Sequence, residues 1–171
     1  IIGGDGAELP PLGHDCSDQL GIQLWEAPVP ASLAGDVRGM FPTAVPKTEA
    51  VRIQNITGYW AHLREHEWEV TEKLHGSSCT MFLDSDGDFH VCSRNLDLKP
   101  TEGNSFWAMA TKYDVYQRMS ALGLGGLAIQ SELVGTGING NQYQLTLELF
   151  VFNMYDTITR THLPAEQRLE L

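Results

Sequence analysis

Two short apolar runs, Ser78 to Leu83 and Asp88 to Ser93, flank Asp84-Ser85-Asp86-Gly87. That arrangement narrows the fold more than any other stretch of the chain. An Asp-Gly pair is a strong tight-turn signal, so the two runs read as an antiparallel hairpin. Further strands are expected at Trp68 to Leu74, which alternates, at Leu127 to Val134 after Gly125-Gly126, and at Tyr143 to Tyr155, rich in β-branched and aromatic residues. Thr48 is placed to cap a helix over Glu49 to about Glu67, with Val51, Ile53, Ile56, Tyr59, Trp60 and Leu63 as apolar positions and Gly58 breaking or kinking it. Asn104 to about Leu122 reads as the best helix, since Phe106, Met109, Tyr113, Tyr116 and Met119 recur at three- and four-residue spacing. Pro164 opens a final helix. The sum is an α+β fold with a largely antiparallel sheet.

At 171 residues the chain suffices for one sizeable core, or one domain plus a flanking piece. With 42% hydrophobic and 19% charged residues it has the composition of a soluble globular protein. No apolar run approaches the ~20 residues that span a bilayer, so no membrane partner is expected. The opening Ile1-Ile2-Gly3-Gly4 has neither an initiator Met nor a leader pattern, and reads as a chain begun mid-protein. Residues 1–47, punctuated by Pro10-Pro11, Pro28, Pro30, Pro42 and Pro46, read as extended chain. The three cysteines Cys16, Cys79 and Cys92 form no C-x-x-C pair. Such a sparse, odd set fits reduced thiols and a cytoplasmic setting; Cys79 and Cys92 are expected to pack in the core. The formal net charge of −11 weighs against a nucleic-acid partner, although a local basic groove can exist within an acidic chain.

Three motifs match well-known patterns only in letters. His62-Leu63-Arg64-Glu65-His66 has the H-x-x-E-H form of some zinc peptidases, but it is highly charged and ends a helix, so a solvated face is the better reading. Gly135 to Gly140 spells G-x-G-x-x-G, yet it leads into a strand and not a helix, as a tight connection would. A calcium loop begun at Asp84 would end on Asn95 where a Glu is needed.

Glu69 to Ser78 presents a different case. One lysine, Lys73, ends a strand-like stretch immediately before the small residues Gly76-Ser77-Ser78. A lysine amine attacks only when deprotonated, and its ordinary pKa is about 10.4. A second cation, a metal ion or partial burial lowers that value. Taken alone, K-x-x-G is a solvated side chain beside a hairpin. It does not stand alone. Glu72-Lys73-Leu74-His75-Gly76 is followed by Cys92-Ser93-Arg94-Asn95, by Gln130-Ser131-Glu132-Leu133-Val134-Gly135, and by Leu149-Phe150-Val151-Phe152-Asn153.

In order and spacing these four blocks resemble the covalent nucleotidyltransferase superfamily of ATP-dependent ligases and capping enzymes, and within it the double-strand nick-sealing branch of RNA ligases. Phe41 to Glu49, followed by Arg52-Ile53-Gln54-Asn55, is similar to a subgroup with an N-terminal OB module. The likeness runs from about residue 20 to 160. It implies an ATP-grasp-like ligase adenylation domain with antiparallel sheets and flanking helices, incomplete here. Residues 1–19 would then be a linker or the tail of a preceding OB-like module, and 20–171 the N-terminal portion of the adenylyltransferase domain.

The resemblance also implies roles. Lys73 would attack the α-phosphorus of ATP to give lysyl-AMP. His75, where many relatives carry Asp, would assist metal binding or orient a phosphate. Glu72 would read the adenine edge, and Arg94 would contact the ribose or a phosphate. Glu132 would contact the ribose or the water shell of Mg²⁺ (or Mn²⁺). Phe152 would stack on adenine, sharing a strand face with Phe150, while Arg52 and Lys47 would face the triphosphate. The implied partner is RNA with 5′-phosphate and 3′-hydroxyl ends. A monomer is expected, with the oligomeric state open. The superfamily's downstream acidic and Lys-x-Lys motifs do not occur between Thr157 and Leu171. The chain is thus expected to stop short of them and to adenylate weakly or not at all by itself. A DNA ligase, a capping-type nucleotidyltransferase and a non-catalytic RNA-binding relative are the alternatives.

Overall fold

The Asp-Gly turn does nucleate a hairpin. In the computed structural model, which describes residues 11, 16–22, 35–48 and 50–171, strand β2 (Ser77–Leu83) pairs antiparallel with β3 (Phe89–Cys92), Thr80 opposite Cys92 and Leu83 opposite Phe89. Asp84 closes the turn: its amide donates to the Asp88 carbonyl at 3.0 Å, and its Oδ1 accepts the amides of Asp86 and Asp88 at 3.0 and 2.8 Å. Gly87 takes φ 89°, a left-handed value that a glycine adopts freely.

The chain divides into two units, Ile1–Ala31 and Ser32–Leu171. In the first, the described residues form one helical turn, α1 (Ser17–Leu20). In the second, a seven-stranded, wholly antiparallel sheet runs in the order β1-β4-β3-β2-β5-β6-β7. The remaining strands are β1 (Val37–Met40), β4 (Leu96–Leu98), β5 (Leu127–Val134), β6 (Glu148–Asp156) and β7 (Thr161–His162). The bounds of β5 are those read from the sequence. Strand β6 starts at Glu148 and not at Tyr143, because Gly135–Leu147 forms a long arched connection. Strand β1 lies within the stretch read as extended chain: Val-Arg-Gly-Met carries no alternation of its own, and pairing with β4 defines it. The rest of that stretch falls largely outside the described residues.

Alternation sorts the sheet into two faces. One carries Cys79, Met81, Leu83, Val91, Leu127, Leu133 and Met154, and packs against α3 (Ser105–Lys112) and α4 (Val115–Ala121) through Met109, Ala110, Val115 and Met119. The other carries Phe82, Cys92 and Ala128 beneath Phe41 and Val45. Cys79 and Cys92 therefore sit on opposite faces, both buried and unbridged. Burial pushes the Cys79 thiol up to about 12, and burial, then Asp97, raises that of Cys92.

Three expected elements differ. The helix over 104–122 is two helices, because Asp114 turns left-handed at φ 50° between them. The break lets two short apolar faces reach one sheet face, which a straight rod of that length could not do. Asn104 caps the first, its Oδ1 accepting the amides of Phe106 and Trp107 at 3.0 and 3.2 Å. The helix over 49–67 reduces to 3₁₀ turns at Ile53–Asn55 and Thr57–Tyr59 and one α-turn, α2 (Trp60–Leu63). Val51, Ile53, Tyr59 and Trp60 are exposed, so its apolar stripe meets no core, and packing of that stripe supplies most of a short helix's stability. Thr48 caps nothing there; its Oγ1 lies 3.4 Å from Ser78 Oγ. Among the described residues Trp68 to Leu74 pairs with no strand, and Trp68 and Val70 are exposed. The final helix does follow Pro164, as α5 (Ala165–Glu170). Among the described residues no helix is long and apolar enough to cross a membrane.

Candidate functional site

The K-x-H-G segment crosses strand β5 at one point, and Gly76 is that point. Its amide donates to Glu132 Oε1 at 2.9 Å. A Cβ on Gly76 would fall 2.3 Å from the Leu133 carbonyl oxygen and 2.9 Å from both Glu132 Cγ and Val134 Cγ2, so no other residue lets the chain pass this close. Glu132 is fixed from both sides, opposite Ser78 on β2 and Phe150 on β6. Its carboxylate therefore sits on the sheet face opposite the helices, bonded to the end of the segment that carries Lys73 and His75. Both of those side chains are exposed.

Polar groups continue along this face where an ordinary core would be apolar. Gln130, fully buried, donates from Nε2 to the Pro46 carbonyl at 2.8 Å and accepts at Oε1 from Asn153 Nδ2 at 3.1 Å. Thr80 pairs with Gln130 across the sheet, and its buried Oγ1 has no hydrogen-bond partner among the described residues. Such a group is costly in a closed core and useful in a binding floor. On the far side Lys47 Nζ donates to Asn95 Oδ1 at 3.1 Å. The amide of Phe41 donates to the Asn95 carbonyl at 2.9 Å. The turn Ser93-Arg94-Asn95 between β3 and β4 and the loop carrying Lys47 thus form one wall.

Of the residues singled out by sequence, Glu132 is bonded to Gly76, one residue from His75 and three from Lys73, and Lys47 is joined to the Arg94 turn. The side chains of Arg52 and Glu72 are exposed, and among the described residues neither makes a hydrogen bond or ion pair. Phe152 occupies a β-bulge: Gln130 pairs with Asn153 and Ser131 with Val151, leaving Phe152 as the extra residue. The strict alternation that would put Phe150 and Phe152 on one face is broken between them, and both rings are exposed, at 40% and 36%.

Four contributors escape sequence reasoning. Tyr143 accepts the His75 amide on its hydroxyl at 2.8 Å, and Asn139 donates to the Gly76 carbonyl. They belong to the connection whose glycines imitate a dinucleotide fingerprint; asparagines between glycines, tolerant of left-handed backbone, were the available signal. Thr80 was signalled only as a polar residue inside an apolar strand, and Gln130 opened the third block without a role of its own. The H-x-x-E-H histidines pair with each other, Nε2 to Nε2 at 3.2 Å on the surface.

The donor chemistry fits a hard divalent cation. Glu132 offers a carboxylate, and Mg²⁺ characteristically takes one or two carboxylates while retaining water and substrate phosphates. Among the described residues no group of three or more His, Cys, Asp or Glu is arranged to hold a metal unaided.

An antiparallel sheet with a lysine-bearing segment stitched over a strand glutamate is the architecture of a nucleotidyl-transferring ligase domain. The RNA ligase family model matches residues 66–171, and the chain belongs to the RNA ligase family. Among solved structures it is similar to Naegleria gruberi RNA ligase with PPi, at 33% identity and TM-score 0.75 over 94% of this chain and 47% of that one. An arginine-to-alanine mutant of that ligase with ATP and Mn aligns at 33% identity and TM-score 0.76, over 92% and 47% of the two chains. A lysine-to-methionine mutant with AMP and Mn gives 32% and 0.76, over 94% and 47%. The chain thus spans about half the length of the structures it matches. No curated protein matches it significantly.

Proposed function

We propose that this chain carries the nucleotide-binding part of an ATP-dependent RNA ligase in which Lys73 takes up AMP. The observation that carries the reading is the crossing at Gly76, where the lysine segment is bonded to Glu132 with no room for a side chain. The Naegleria variants add support. They alter a lysine, an aspartate two positions after it, and an arginine twenty-one positions before it. Lys73, His75 and Arg52 stand at the same intervals here.

In the proposed reaction Lys73 Nζ forms a P–N bond to the α-phosphorus of ATP, the bond to the pyrophosphate oxygen breaks, and the amine proton is lost. The 5′-phosphate of an RNA then attacks the same phosphorus, the P–N bond breaks and Lys73 is regenerated. Finally a 3′-hydroxyl displaces AMP and the strand is joined. Phosphoryl chemistry of this kind depends on positioning and on neutralising the phosphate oxygens. Arg52, Lys47 and Arg94 are assigned to that neutralisation, Glu72 and Phe152 to the adenine, and His75 to a phosphate or the metal shell. A divalent metal, when bound, would supply further charge neutralisation, and Glu132 is the carboxylate assigned to hold it or its water.

The test is covalent labelling of the whole protein with radiolabelled ATP or GTP, followed by nicked RNA and nicked DNA duplexes. The expected result is an AMP adduct, chased into sealed RNA, that Lys73→Ala abolishes. A label surviving Lys73→Ala removes the nucleophile assignment. Transfer to DNA alone, or a GMP adduct, selects the DNA-ligase or capping reading.

A further inference from the structure

The connection from β5 to β6 concentrates backbone strain. Three of the five non-glycine residues with positive φ among the described residues lie in it: Asn139, Asn141 and Gln144, at 41°, 45° and 53°. Gly135, at φ 125°, approaches Thr146 so closely that a Cβ would fall 2.2 Å from the Thr146 carbonyl oxygen. The arch is braced from within. Asn141 Nδ2 donates to the Leu145 carbonyl at 2.9 Å, and its Oδ1 accepts the Leu145 amide at 3.1 Å. Ile138 roots it in the helix-side core. Strained backbone persists only where its surroundings over-determine it, and it gathers at functional sites.

Two side chains leave this frame, and both end on the backbone of the lysine segment: Tyr143 at the His75 amide and Asn139 at the Gly76 carbonyl. Glu132 takes the intervening Gly76 amide. Within 70–75 the His75 bond is the only backbone hydrogen bond among the described residues. A stretch without secondary structure is therefore located by three side chains acting on two consecutive residues, the second and third after Lys73.

We propose that Asn139 and Tyr143 are positioning residues for the nucleophile. The arch holds the segment so that Lys73 meets the α-phosphorus at one fixed offset, and it governs the rate of AMP transfer to the lysine, leaving nucleotide affinity alone. The inference rests on the ligase reading above. Neither residue needs to touch ATP. A misplacement of about 1 Å suffices to slow a positioned reaction about a hundredfold.

The test is single-turnover labelling of the whole protein over a range of ATP concentrations, comparing Tyr143→Phe, Asn139→Asp and Asn139→Gly with the unsubstituted chain. Each variant should lose about 10- to 100-fold in saturating rate, with half-saturating ATP shifted by no more than about twofold. Asn139→Gly is the decisive arm, because it keeps the left-handed backbone at no strain and removes only the amide donor. Labelling of Asn139→Gly and Tyr143→Phe at the unsubstituted rate overturns the proposal, as does a loss confined to half-saturating ATP. Absence of label in the unsubstituted protein instead removes the ligase reading, and this inference with it.

Discussion

Adding one methyl group at Gly76 tests the crossing point directly. The nearest obstacle is a backbone oxygen on a central strand, which cannot rotate away as a side chain would. Gly76→Ala should lower unfolding stability by about 1–3 kcal/mol and abolish AMP labelling, whereas Gly39→Ala, with open space around its Cβ, should do neither. Equal losses in the two variants, read by urea denaturation, would show that the crossing is not responsible. At this scale the sequence is legible where function compresses into adjacent letters. Lys73, His75 and Gly76 can be read together because they are local. Tyr143 is 68 residues from His75 and Asn139 is 63 from Gly76, and only a folded sheet brings them in.

At the scale of elements, strands with strong turn chemistry are read correctly, and helices that depend on tertiary support are not. The hairpin at 84–88 carries its own instruction in Asp84, and acid should erase it. Burial works to raise the Asp84 carboxyl, but hydrogen bonds from the Asp88 amide, the His90 ring and the Asp86 amide outweigh it and hold the group below its ordinary 3.8. The amides of Thr159 and Ile158 do the same for Asp156 in the turn after β6. Because the folded values are depressed, this stabilisation is complete above 3.8 and is lost as pH falls from there through the lowered values. Urea midpoints should therefore drop as the pH is taken below 3.8, and the drop should shrink when Asp84 and Asp156 are both replaced by Asn. An undiminished drop assigns the acid sensitivity elsewhere. The expected helices at 49–67 and 104–122 fail for opposite reasons. The first has no surface to pack on, and the second has one that a straight helix would overshoot.

For the molecule as a whole, the sheet divides labour between its faces, one closed by α3 and α4 and the other set with polar groups. Sequence alternation predicts such a division but cannot reveal where it slips. Phe152 is where it slips, and the slip makes a deletion informative. Removing a residue from a strand ordinarily turns every following side chain to the wrong face. Here the residues before the bulge already hold one register with β5 and those after it another, offset by one. Deleting Phe152 would merge the two into a single continuous ladder, with Phe150, Asn153 and Tyr155 still on the face they now share. The shortened chain should fold with near-normal stability in thermal melts while binding nucleotide weakly; collapse of the fold would contradict this register. The ring proposed to hold adenine is thus the one residue of β6 that the sheet can spare.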